Sequence, residues 1–453
     1  MAFGGGYDFA ALLTARGTLW KFDRDGPGSG IMPYLGPGTA DATDGYDPAW
    51  NDPHAGAPPP GHAGLWSWCR EPVVMLSVAS CHAACVTDDG VVWVWGTDMH
   101  GGMGLDDKNT KYFPQQWPET HCGGAPVQMV ACGPNLTLAL TRNGDVWACG
   151  SGKFCQNGSR EHADLSVPAR VPGLPCIVMV AAGKEHAAAV DFAGEVWTWG
   201  KVSQSCWSDE PVCVGAAAFA GEAVVLVSTG YGAVAAVTAL GALWMWGSGS
   251  HGQLGAGHLD DLAAPSLVCG GAAPAWGGSR VLMASCGEHQ TMAVTEAGAV
   301  FMWGFGWFNR LGQRDPCDRH VPTRVDAPAF GNGVRIVSGC VGWGPTSMAL
   351  SDEGVLYSWG GGIMSCTPCP VAARVGRACA LPRLHALAFC MGSHKRLGGG
   401  DPRQGRAAAP CPYERLPDDV LRRVVERLRV PAGAHADMGE GLLRLLAVRT
   451  LVH

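Results

Sequence analysis

One phrase recurs along this chain at nearly constant intervals, and few folds can accept it. It reads Val91-Val-Trp93-Val-Trp95-Gly96, Val146-Trp147-Ala-Cys149-Gly150 and Val196-Trp197-Thr-Trp199-Gly200. It continues as Leu243-Trp244-Met-Trp246-Gly247, Val300-Phe301-Met-Trp303-Gly304 and Leu356-Tyr357-Ser-Trp359-Gly360. A weaker copy, Gly17-Thr-Leu-Trp20-Lys-Phe22, stands at the start, which brings the count to seven. Self-similarity at a period near 50 residues is the mark of a solenoid, a propeller or a repeat array.

Each copy has the same internal order. An apolar run comes first, as in Val127-Gln-Met-Val-Ala-Cys-Gly133 or Val281-Leu-Met-Ala-Ser-Cys-Gly287. A second run ends in Thr and a turn glycine, as in Thr87-Asp-Asp-Gly90 and Thr141-Arg-Asn-Gly144, and the aromatic strand follows. Asp-Gly or Asn-Gly between apolar runs is a strong hairpin signal. Each unit is therefore an antiparallel meander. A lone meander cannot bury its apolar faces and leaves its edges open, whereas radial stacking buries both faces. The expected fold is all-β: a seven-bladed β-propeller over residues 1–391, with most of the 18 Trp residues as core.

The loops identify the kind of propeller. Gly247-Ser-Gly-Ser-His-Gly252-Gln253-Leu254-Gly255 resembles the Gly-x-Gly-x-x-Gly-Gln-Leu-Gly signature of regulator of chromosome condensation repeats. Cys286-Gly-Glu-His289-Gln-Thr-Met-Ala-Val-Thr295 is similar to their Cys-Gly-x-x-His-Thr phrase, with weaker versions at Gly101–Gly104, Ala182–His186 and Arg310–Gly312. The resemblance runs from about residue 8 to 400. Gly-x-Gly-x-x-Gly here follows a strand but opens no helix, so a dinucleotide loop is rejected. Ring closure is expected from 8–22 supplying the last strands of a blade and 376–389 the earlier ones.

A long Gly/Pro/Asp-rich span, 23–64, reads as a loop insert. Residues 392–412 are Gly-rich and basic, as a linker would be. From 413 to 453 the period becomes helical: Leu416, Val420, Leu421, Val424 and Leu428 form an apolar stripe, with Pro417 at a first-turn position. This tail resembles the start of an F-box. That resemblance implies that Leu416, Pro417, Val420, Leu421, Val424 and Leu428 bind a Skp-type adaptor of cullin ubiquitin ligases. The plain alternative is a helical pair packed on the propeller.

Net charge is −7, without the basic footprint of a nucleic-acid binder. Neither a secretory signal nor an apolar run long enough for a membrane helix stands in the sequence, so an intracellular protein, cytoplasmic or nuclear, is expected. Of the 19 Cys residues, many sit before a repeat glycine, where a small buried thiol suffices. Cys366-Thr-Pro-Cys369 is a single pair without a partner pair, so no metal, cofactor or catalytic residue is expected.

The turns between the first two strands of each copy carry Glu185, His186, Tyr231, Glu288, His289 and Trp343, the candidate partner-binding face. His186 and His289 are read there as one repeated position. The family resemblance implies either a protein-interaction platform, which with the tail would be a ubiquitin-ligase substrate receptor, or an exchange factor or other regulator of a small GTPase. A plain scaffold is the third possibility. The inserted wedge of the exchange factors has no counterpart. Gly342-Trp343-Gly-Pro-Thr346 lacks the Arg of the family's photoreceptor motif, so photoreception is rejected.

Overall fold

The computed structural model describes residues 73–268, 276–326, 330–331 and 333–360, with side chains throughout apart from Tyr112 and Phe113. Five further strands, Ala2–Gly5, Phe9–Leu13, Leu19–Asp23, Met32–Tyr34 and Cys369–Pro370, are described by backbone alone.

The chain is an all-β propeller. Six four-stranded antiparallel sheets follow one another as blades 1 to 6, at 73–116, 127–170, 177–213, 224–267, 281–324 and 336–370. In each, the four strands pair in chain order, as the meander reading requires. The expected count of seven is thereby corrected to six blades in the described ring. A further four-stranded sheet, Ala2–Gly5 to Met32–Tyr34, is known by its backbone pairing. Its first strand lies beside Val73–Val78 of blade 1 and beside Ile336–Val341 of blade 6.

Two other expectations change here. The N-terminal sheet draws all four of its strands from residues 2–34, so it needs none from 376–389. Its fourth strand, Met32–Tyr34, falls within the span read as a loop insert. The helical tail 413–453 and the linker 392–412 lie outside the described residues, as do Leu416, Pro417, Val420, Leu421, Val424 and Leu428. The helical elements with described bounds are three short 3-10 turns.

Side-chain size follows the radial taper. The second strands of blades 3 and 4 are rich in small residues, Ala187–Ala189 and Ala233, Ala235 and Ala236, which let neighbouring sheets approach. The third strand contributes Trp199, Trp246, Trp303 and Trp359, all fully buried in the wider space between blades. Close packing of this kind makes each Trp worth several kcal/mol of burial.

Of the hydrogen bonds that join blade to blade, two sets lie on opposite faces of the ring. On one face, the turn between strands 2 and 3 closes through its glycine N–H, as from Gly90 to the Thr87 carbonyl at 2.8 Å. The same glycine's carbonyl accepts the first N–H of the next blade: Gly90 from Val127 (3.0 Å), Gly144 from Ile177 (3.0 Å) and Gly194 from Val224 (2.9 Å). Gly241 accepts from Val281 (3.0 Å) and Gly298 from Ile336 (3.2 Å). A β-carbon on Gly90, at φ +92°, would stand 2.6 Å from Cβ of Pro126, so this position needs glycine for both conformation and space.

On the opposite face, the indole N–H groups reach back to the preceding blade. Trp199 Nε1 donates to the Gln156 carbonyl (2.9 Å), Trp303 Nε1 to Gln253 (2.8 Å) and Trp359 Nε1 to Arg310 (3.0 Å). Hydroxyls add a second bond to two of these carbonyls, from Thr291 (2.8 Å) and Ser347 (2.9 Å). The Gly-Gln-Leu-Gly loop thus has a structural role, because its backbone presents a carbonyl to the next blade.

Candidate functional site

The second face carries the chemistry. It is formed by the short turns between strands 1 and 2 and by the connections between strands 3 and 4. The latter run over 97–110, 151–164, 248–261 and 305–318, but shrink to 202–206 in blade 3. Loops on a rigid scaffold are where recognition residues collect.

Over blades 3 to 5 these loops bring cations and aromatic rings together. Lys184 Nζ lies 3.8 Å from the Tyr231 ring centroid. Tyr231 stands 5.1 Å from the His289 ring, and His251 stacks on His289 at 4.1 Å. His251 meets Phe305 edge-on at 5.2 Å, Phe305 stacks with Trp307 at 5.9 Å, and the Arg310 guanidinium sits 5.0 Å from Phe305. Arg310 is buried. It donates through Nη1 to the side-chain oxygen of Gln290 (3.1 Å) and through Nε to the Trp307 carbonyl (3.1 Å), and it faces Glu288 at 3.9 Å. Beyond this hub the row ends in an exposed pair, Trp307 at 61% and Phe308 at 55% exposure. Phe308 and Asn309 adopt left-handed backbone conformations, φ +61° and +55°. Such conformations cost energy and are held by their surroundings.

Burial, reinforced by the positive charges of His251, Arg310 and Lys184, drives the His289 pKa down to about 4. The ring is therefore neutral at physiological pH and offers an aromatic face between its neighbours. A second, smaller group adjoins on blades 2 and 3. There Lys153 and Lys201 lie 5.1 and 4.8 Å from Phe154, and Lys201 pairs with Glu185 at 3.6 Å.

The structure brings together Tyr231, Glu288 and His289 from the sequence-predicted set, with Glu185 in the adjoining group. It separates the other two. His186 is fully buried and Trp343 is packed in an apolar cluster with residues of blades 1 and 2, so neither presents its ring to a partner. His186 also does not share a position with His289. By strand register His186 opposes Gly200 as Gln290 opposes Gly304 and His82 opposes Gly96. The repeated inward position is His82/His186/Gln290; His289 stands one residue earlier and faces out. At the inward position His82 Nε2 contacts Thr137 Oγ1 of the next blade (2.7 Å), and Gln290 donates to the carbonyls of Gly342 and Gly344. Burial lowers the pKa values of His82 and His186 to about 4, opposed by Asp98 and by the Ala233 backbone respectively.

Lys184, His251, Phe305, Trp307, Phe308 and Arg310 were not legible as site residues, because they come from loops far apart in sequence. The one available signal was the adjacent aromatic pair Trp307-Phe308 just after a repeat glycine.

Comparison with known proteins decides the lineage. A model of the RCC1-like domain matches residues 3–342. The chain belongs to the RCC1-like domain family. Among its relatives is the ultraviolet-B receptor UVR8 of Arabidopsis thaliana, 30% identical over 296 residues, which cover 64% of this chain and 65% of that protein. The chain thus matches slightly less than two thirds of UVR8. Human WBSCR16 shares the fold with TM-score 0.58 and 22% identity, covering 70% of this chain and 88% of that one. Prp20p of Saccharomyces cerevisiae does so with TM-score 0.56 and 20% identity, covering 67% and 78%. Among the described residues, no helix of this RCC1-like chain is long and apolar enough to cross a membrane.

Proposed function

We propose that this RCC1-like chain is a non-enzymatic protein-interaction platform that seats a partner on the loop face of blades 3 to 5. The observation that carries this reading is the row Lys184, Tyr231, His289, His251, Phe305, Arg310 and Trp307. Tyr and Trp are among the residues that dominate protein interfaces energetically. Here the buried Arg310, held by Gln290 and Glu288, fixes Phe305 from beneath while the Trp307-Phe308 edge stands exposed, so little ordering entropy opposes docking. We further propose that the N-terminal sheet fills a seventh place in the ring, in keeping with its first strand lying beside both blade 1 and blade 6.

The same face supports a second reading, regulation of a small GTPase. The family resemblance favours it, and Prp20p is a protein whose binding to Gsp1p and histones is described with its structure. The tail 413–453 adds, from its sequence alone, recruitment of a Skp-type adaptor through Leu416, Pro417, Val420, Leu421, Val424 and Leu428.

The test is a binding panel. Small GTPases, loaded and nucleotide-free, and a purified Skp adaptor are presented to the full chain, a 1–410 truncation and the double variant Trp307→Ser/Phe308→Ser. GTPase capture lost in the double variant, with unchanged melting, supports the face and names its partner class. Capture that survives the double variant removes this face from the reading. Adaptor bound by the full chain and not by 1–410 supports the tail; binding by neither removes it.

A further inference from the structure

At the rim of the seam between blades 2 and 3, Cys155 and His162 of the 151–164 loop meet Asp209 on the outer strand Trp207–Cys213. We propose that these three side chains bind one zinc ion. The proposal is independent of the partner-binding face.

The geometry is that of a ligand set. Candidate donor atoms of the three residues all lie within 4.8 Å of one another. Cys155 Sγ is 3.4 Å from His162 Nδ1, and His162 Nε2 is 3.6 Å from Asp209 Oδ1. Zinc–donor bonds of about 2.0–2.3 Å at tetrahedral angles place neighbouring donors roughly 3.3–3.7 Å apart. A mixed sulfur, nitrogen and oxygen set suits zinc better than calcium or magnesium, which take oxygen alone.

Two features are otherwise hard to account for. Asp209 Oδ1 is shut off from solvent and makes no short hydrogen bond, facing His162 Nε2 at 3.6 Å, although the side chain as a whole is partly exposed. At that distance the imidazole satisfies the oxygen only weakly, and a cation between the two groups is a natural complement to a carboxylate oxygen held out of water. The Cys155 thiol is fully buried and lies beside an imidazole and a carboxylate.

With Nε2 as the ligand, its 3.6 Å spacing from Asp209 Oδ1 is the one that already matches a zinc site, and the Cys155 sulfur would close on the ion from within 4.8 Å. Nδ1–H would face the Lys153 carbonyl at 3.3 Å, the outer contact that metal-bound histidines commonly make. Zinc binding displaces the thiol proton to solvent, His162 binds as the neutral ring, and water supplies a fourth donor. The ion would tie the loop of blade 2 to blade 3 beside two existing links, the Gln156–Trp199 hydrogen bond and the Arg160–Glu210 ion pair. The spacing of 7 and 47 residues between the three ligands hides the set from any motif search.

The test uses the full chain, produced with zinc in the medium and desalted, with metal content measured by mass spectrometry. Other cysteines can carry zinc, so the readout is the difference between wild type and variants. His162→Ala, whose side chain is about half exposed and should leave the fold intact, is expected to lose one equivalent, as is Cys155→Ser. Asp209→Asn should weaken retention at least about 10-fold in competition with a chromophoric chelator. Cobalt loading should give a thiolate charge-transfer band that Cys155→Ser abolishes and Cys366→Ser/Cys369→Ser keeps. Folded His162→Ala and Asp209→Asn proteins that hold as much zinc as wild type, or a wild type that holds none, would overturn the assignment.

Discussion

The two faces of the ring solve the same problem differently. On one, every junction between described blades is joined in one way: a turn glycine carbonyl receives the first N–H of the next blade. On the other, the equivalent link depends on an indole and a loop. It is present where blades 2, 4 and 5 offer a carbonyl to Trp199, Trp303 and Trp359. Blade 2 has Cys149 in place of the Trp, and its thiol makes a longer contact, 3.4 Å, to the Gly102 carbonyl. The uniform face is scaffold. The variable face is where loops have been released to carry Lys184, His251, Phe305 and Trp307. Arg310 illustrates the release: its carbonyl still serves Ser347 and Trp359, as Gln253 serves Thr291 and Trp303, while its side chain has been turned to the cluster.

If this contrast is right, the largest loss comes from removing an indole that fills the seam. Trp303→Ala should destabilise by about 3–5 kcal/mol, read by urea or thermal unfolding. A loss near zero would mean that the loop face does not help hold the ring.

Acid should act next, through the histidines that burial keeps neutral. The folded pKa values of His82 and His186, about 4, lie below the ordinary 6.5, so the unfolded chain binds more protons in between. Stability is full above pH 6.5 and falls as pH drops towards 4, by on the order of 3 kcal/mol per histidine. His186→Gln, which installs the residue that blade 5 already uses as Gln290, should flatten that slope in melts between pH 7 and pH 5. An unchanged slope would separate His186 from acid sensitivity.

A smaller cost, about 1–3 kcal/mol, is expected from Gly90→Ala, because the added carbon meets Pro126 in a left-handed turn. The same change at Gly255, where a β-carbon would stand 2.8 Å from Trp303 Nε1 at φ +70°, compares the two faces directly. Equal losses would erase the distinction between a uniform and a variable face. The smallest effect should come from Trp307→Ser: stability within about 0.5 kcal/mol of wild type, since the side chain is exposed. A large drop in melting temperature would mark Trp307 as structural.

The blade grammar was legible because it is local: Thr-x-x-Gly turns and Trp-x-Trp-Gly strands repeat within a few residues. The site was half legible. Tyr231, Glu288 and His289 fall in short turns that align by eye, whereas Arg310 and Phe305 reach them only through the ring's curvature. The equation of His186 with His289 failed by a single residue. In a strand or tight turn one residue exchanges the buried side for the open one, so a slip invisible in a loose motif became the difference between a core group and a surface group. The first sheet's own fourth strand escaped notice because Met32-Pro-Tyr34 is short and set among glycines and prolines.

The glycine carbonyls that receive the neighbouring blade also bear on where this polypeptide tolerates a break. A cut at Lys108 or Arg314, in the long connections of the loop face, severs the chain while leaving every one of those junctions made. Limited tryptic digestion should therefore leave a nicked ring that still migrates as one particle and comes apart only in denaturant. Those connections are also the places where a new segment or a new terminus could be inserted.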